Sequence, residues 1–181
     1  MSHWWYQEHR YIEVWFEAQA MAQQFLKYIP SGITLYPSRG DSSIPMKYEG
    51  VQRMIRLGAG REWDTTLVYF GDYDKKGVQI FDSLKEDVEY WCKHSGRSFI
   101  KVKINCIHAG LNAEQVEKYG VPEDPDNPNK YQWEALTDEQ AHEIISQGVQ
   151  SYVHEEGYEK ANKKSKEITA AVKERMKEIQ Q

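Results

Sequence analysis

TTLVYFGDYDKKG, residues Thr65–Gly77, decides the fold. Its first six residues form a continuous apolar and β-branched run, the pattern of a strand covered on both faces in a parallel sheet. A polar break follows at once: Gly71, then Asp72 and Asp74 two residues apart, then Gly77. In extended geometry carboxylates at that spacing point to the same side. The flanking glycines let the backbone bend and approach a ligand closely.

Upstream, RYIEVWF (Arg10–Phe16) alternates and reads as a strand, and Glu17–Ile29 reads as a helix ended by Pro30-Ser31-Gly32. Ile33–Pro37 is a short second strand. Ser38–Ser43 (SRGDSS) is a turn whose Asp41, Ser42 or Ser43 can cap a helix over Pro45–Leu57, which stops at Gly58-Ala59-Gly60. Downstream, Val78–His94 is a long amphipathic helix and Ser98–Ile107 a fourth strand. Strands alternating with helices predict a parallel sheet with helices on both faces, an α/β three-layer sandwich. Beyond His108 the pattern loosens. Asn112–Tyr119 reads as a short helix, and Gly120–Lys130, with three of the six prolines, as a loop. Leu136–Val153 reads as a helix, with Thr137 and Gln140 as a capping box. A charged helical extension closes the chain, and residues 1–157 and 158–181 are taken as domain and tail.

The 181 residues suffice for one domain with an extension. A mean hydropathy of −0.79 marks an unusually polar chain. No apolar run is long enough to span a bilayer. The N-terminus, with Trp4, Trp5 and Tyr6 among polar residues, shows no secretory signal. Cys92 and Cys106 cannot form a disulfide framework and read as reduced thiols of a cytoplasmic protein. The net charge of −5 is unevenly spread: Tyr158–Gln181 carries +3 and the body −8. An acidic body argues against a broad basic face, so a nucleic-acid role requires a local site, bridged by metal.

Ligands of open parallel sheets bind outside the carboxyl ends of the strands. Glu17 ends strand one, Ser38-Arg39-Gly40-Asp41 ends strand two, and Gly71-Asp72-Tyr73-Asp74 ends strand three. Carboxylates brought together repel unless a hard cation joins them, and oxygen ligands favour Mg²⁺ or Mn²⁺ over Zn²⁺. The expected metal ligands are Glu17, Asp72 and Asp74.

These residues resemble the TOPRIM domains shared by type IA, II and VI topoisomerases, bacterial-type primases and several nucleases. The family carries a Glu after strand one and Asp-x-Asp after strand three. EVWFEAQA, PSRGDSS and FGDYDKKG are most similar to the branch around the A subunit of topoisomerase VI, the meiotic break-making transesterase and related phage and plasmid proteins. WEALTDEQ resembles that branch's acidic segment before a closing helix. The resemblance spans about Tyr11–Val153 and implies a Rossmann-like TOPRIM fold and Mg²⁺-dependent phosphodiester chemistry on nucleic acid, DNA rather than RNA. It implies that Asp72 and Asp74 hold metal, that Glu17 is a third ligand or the general acid/base, and that Arg39 and Lys75 offset phosphate charge. Ala18 stands where the branch often has Lys, and Lys75-Lys76 replace its Pro-Ser pair. With only nine residues, Met1–His9, before strand one, the nucleophilic tyrosine domain of topoisomerase VI is not expected in this chain. Partners left open are an upstream domain and a second copy, the latter through the apolar stripe Ala161, Ser165, Ile168, Val172, Met176 and Ile179.

Each residue also has a plainer reading. Asp72, Asp74 and Glu17 suit helix N-capping and loop solvation, Glu134 a cap or surface role, and Lys75 and Lys76 solvated charge. The histidines lack metal spacing. Trp4, Trp5, Tyr6 and Tyr11 can stack bases or clamp the domain. The alternatives to an enzyme are a non-catalytic nucleic-acid-binding or assembly module that keeps the fold, and a phosphotransfer receiver or nucleotide binder. A nucleotide binder is disfavoured because no Gly-rich loop follows strand one.

Overall fold

The computed structural model describes residues 9–17, 21–30, 32–38, 44–97 and 99–153, together with Lys163 and Glu167. The apolar run read as a covered strand lies at the centre of the sheet. β1 (Arg10–Phe16) and β3 (Asp64–Phe70) are parallel neighbours paired from Arg10 with Asp64 to Phe16 with Phe70. β2 (Thr34–Pro37) flanks β1 and β4 (Asn105–Gly110) flanks β3, both parallel, giving the order β2-β1-β3-β4. The chain winds outward from β1 to β2 and then returns to the other side of β1. The winding therefore reverses between β1 and β3, and at such a reversal a crevice opens beyond the carboxyl ends of the strands.

Helices cover both faces, as the alternation of elements predicts. On one face, α1 (Ala22–Tyr28) places Phe25 flat on Phe16 at 4.7 Å and edge-on to Phe70 at 5.0 Å. α5 (Asp138–Gln150) packs beside α1 and against β4. On the other face, α2 (Ile44–Leu57) and α3 (Lys75–Lys93) pack together, and Phe81 of α3 lies 5.6 Å from Tyr69. Val14, Trp15, Leu67, Val68, Tyr69 and Phe70 are fully buried between these layers. The chain is thus a Rossmann-like α/β protein. Tyr11 belongs to this core, so it offers no platform to bases.

Four boundaries differ from the sequence reading. Glu17 does not begin a helix: its N–H donates to the Phe70 carbonyl at 3.0 Å, continuing the sheet ladder, and α1 starts at Ala22. α3 begins at Lys75, because the Asp74 carboxylate caps it by accepting from Gly77 N at 2.6 Å. β4 is Asn105–Gly110, not Ser98–Ile107. Its first pair is Asn105 with Thr66, so Lys101 and Val102 lie beyond the start of β3, while Lys103 and Ile104 stand level with Asp64 and Thr65 without pairing. His108-Ala109-Gly110, of weak β propensity, are recruited because β3 extends alongside them. The last helix of the body is shorter than read, but its Thr137–Gln140 capping box is present in both halves. α4 (Ala113–Tyr119) carries a second such box from Asn112 and Gln115. Arg39, Asp41, Ser42, Ser43, Trp4, Trp5, Tyr6, the apolar stripe and the division at 157/158 lie outside the described residues.

Candidate active site at the carboxyl ends of β1 and β3

The register that aligns Phe16 with Phe70 also sets Glu17 beside Gly71. The residue pattern requires this closeness to be made without a side chain at 71. A Cβ there would stand 2.7 Å from Glu17 Oε2 and 3.0 Å from the Tyr69 ring. Glu17 Oε2 accepts from the Asp72 N–H at 3.3 Å, a long bond for a carboxylate. Half-burial pushes the Glu17 carboxyl above its ordinary value, and the charges of Asp72 and Asp74 push it further. The Asp72 N–H and Lys76 oppose that rise.

Asp72 is held from a distant segment. The loop Gly120–Lys130 folds back, and Tyr73 and Tyr131 exchange backbone hydrogen bonds of 2.9 and 3.0 Å. Just beyond, Trp133 N donates to Asp72 Oδ1 at 2.9 Å, and Lys130 Nζ stands 3.9 Å from Asp72 Oδ2. Burial still raises the Asp72 carboxyl above its ordinary value, with the Glu134 and Asp74 charges adding to the effect against the Trp133 N–H and Lys130. Glu134 is exposed but close enough for its charge to be felt. Asp74 fulfils the capping reading described above. At Gly77 a Cβ would stand 2.5 Å from the Asp72 carbonyl oxygen, so only glycine lets α3 start this close.

The lysines divide. Both occupy the exposed first turn of α3 rather than a loop. Lys76 is the one whose charge reaches Glu17. Lys75 lines a groove of about 460 Å³ on the other side of Asp74, with Tyr73, Tyr131 and Asn129. Sequence reasoning missed three participants. Lys130 and the Trp133 N–H come from a segment with no regular pattern. Tyr69 reads as core, yet its buried hydroxyl, with Ser38 in reach but no well-formed hydrogen bond, stands 3.2 Å from the vacant Cβ position of Gly71.

Oxygen donors suit a hard divalent cation, and this end of the sheet carries Glu17 beside Gly71, with Asp72 and Asp74 in the following loop, the first two with raised proton affinity. Among the described residues, however, no three acidic, His or Cys side chains are gathered closely enough to hold one ion. Asp74 caps a helix and Asp72 is engaged by Trp133 and Lys130. No family model, curated protein or solved structure matches this chain.

Proposed function

We propose that this chain is a TOPRIM-type domain performing Mg²⁺- or Mn²⁺-dependent phosphodiester cleavage on nucleic acid, with DNA as substrate. The observation that carries the reading is the side-by-side placement of Glu17 and Asp72 at the switch point between β1 and β3. Three motifs in family order support it.

Asp72 and Asp74 would hold the metal, with Glu17 at its edge. When bound, the ion would polarise the phosphate and offset the charge of the attacking and leaving oxygens. Glu17 has the environment of a proton carrier, since its raised proton affinity suits a group that yields a proton to a leaving oxygen near neutral pH. Lys76 and Lys130 flank the carboxylates and counter phosphate charge. Arg39 is assigned the same task by its motif alone.

The test is nicking of supercoiled plasmid by the purified chain with Mg²⁺ or Mn²⁺. Wild type should nick, and Asp72→Asn, Asp74→Asn and Glu17→Gln should each lose most of that activity. Metal-independent nicking, or nicking unchanged in all three variants, defeats the proposal. A second reading, a non-catalytic module, is favoured by the engagement of Asp72 and Asp74 in structural hydrogen bonds. It predicts DNA binding without cleavage at any metal concentration.

A further inference from the structure

At the opposite end of the sheet the charge pattern reverses. Between Lys93 and Lys103 there are four basic and no acidic residues, in a chain of net charge −5. This segment leaves α3, crosses below the start of β3 and enters β4. Because it lies largely beyond the pairing of β3 with β4, most of its backbone is irregular. Its side chains line a cavity of about 450 Å³ walled by Lys93, Arg97, Lys101 and Lys103, with Ile100 and Val102 as the apolar floor. Glu89 is the one acidic lining residue.

Two features distinguish this groove from ordinary solvated charge. First, its lysines, Lys93, Lys101 and Lys103, make no ion pair among the described residues, with Glu89 the lone carboxylate in the lining. Lys27, Lys47, Lys118 and Lys130, by contrast, each face a carboxylate within 4.0 Å. Arg97 spends one N–H on the Gly60 carbonyl at 3.1 Å, which ties the groove to the turn Ala59–Arg61. Second, Phe99 projects from the same segment fully exposed. Phe99 lies between Arg97 and Lys101 in sequence, next to the lining residue Ile100, and an aromatic ring set in solvent costs apolar hydration unless something stacks on it.

We propose that the Lys93–Lys103 groove binds single-stranded DNA, its lysines and Arg97 tracking the phosphates and Phe99 stacking on a base. Cations spaced along a groove with an aromatic platform are what sequence-independent single-strand recognition uses. Duplex DNA keeps its bases stacked and gives Phe99 nothing to meet. The choice of DNA over RNA rests on the proposed function, but the groove itself does not: β3 spans seven residues, about 20 Å, between this end and the acidic one.

The test is fluorescence anisotropy of a labelled fifteen-nucleotide oligothymidylate with the full chain, titrated at several salt concentrations without divalent metal. Wild type should bind, with affinity falling linearly on a logarithmic salt scale. Lys101→Ala/Lys103→Ala should reduce that slope by about 1.4, since each single-strand phosphate contact contributes about 0.7. Phe99→Ala should weaken binding at least about fivefold with the slope unchanged. All these residues except Val102 and Ile104 are at or near the surface, and circular dichroism checks that the variants fold. Nicking is assayed separately on plasmid with metal, so oligonucleotide binding without nicking, or nicking without it, separates the two proposals. Unchanged binding in both groove variants overturns the proposal. So does duplex of equal length binding as tightly with no effect of Phe99→Ala. Tighter binding of oligouridylate overturns the assignment to DNA.

Discussion

Glu13 and Glu17 stand four residues apart on β1 and its continuation, on the same face of the sheet, and they are opposites. Glu13 is fully buried, yet four donors surround it. Tyr11 Oη and Arg53 Nε donate to Oε1 at 2.8 Å each, and Trp15 Nε1 and Arg53 Nη2 donate to Oε2 at 2.9 and 2.7 Å. Glu17 is less buried but worse served, with one long backbone hydrogen bond and two like charges for neighbours. Depth of burial therefore does not identify a functional carboxylate. What marks Glu17 is unrelieved charge at an open end of the sheet, where a ligand can supply what the protein withholds.

The largest effect expected from this contrast is at Glu13. Arg53→Ala strips a buried carboxylate of its counterion, and urea denaturation should show a loss of about 3–5 kcal/mol. A loss below 1 kcal/mol would make Glu13 as tolerant as Glu17 and break the comparison.

Next in size is the response of the acidic end to metal. With free Mg²⁺ or Mn²⁺ at 100 times its dissociation constant, linkage gives about 2.7 kcal/mol of stabilisation. Melting curves with and without metal should show this gain in wild type. They should show none in Asp72→Asn or Asp74→Asn, while Arg39→Ala and Lys75→Ala keep it. Equal melting of wild type and the aspartate variants at millimolar metal would reduce Asp72 and Asp74 to a loop anchor and a helix cap.

A smaller effect sharpens the assignment of Glu17. Its carboxyl binds protons more tightly in the folded chain than in the unfolded one. Its ionisation therefore costs stability, and that cost appears as pH rises from the ordinary glutamate range through the folded value. Glu17→Gln should melt above wild type at pH 8 without metal, and the difference should vanish by about pH 4, where the carboxyl is protonated in both states. A Glu17→Gln variant that melts below wild type at pH 8, with the deficit closing on acidification, would mean that Glu17 is a satisfied ion.

The smallest effect belongs to Tyr69. Its buried hydroxyl has Ser38 in reach but no well-formed hydrogen bond, so Tyr69→Phe should change stability by less than about 1 kcal/mol. A loss of more than 1 kcal/mol would show that the hydroxyl has a partner within the folded chain.

Much of this architecture is legible along the chain. Thr65–Phe70 announces a covered central strand because an apolar run bounded by glycine is a local property. The Thr137–Gln140 capping box is legible because both partners lie within one helical turn. The motif spacing sets Glu17, Asp72 and Asp74 at strand ends before any pairing is known. Tertiary structure decided what depends on neighbours distant in sequence. It set β4 from Asn105, opposite Thr66, to Gly110, opposite Phe70. It turned Glu17 from a helix start into a rung of the sheet through Phe70. It brought Lys130 and the Trp133 N–H to Asp72 across about sixty residues of chain. It also gave two glutamates of one strand opposite environments, because whether a carboxylate is relieved depends on which donors the fold delivers to it, and Arg53 arrives from forty residues away.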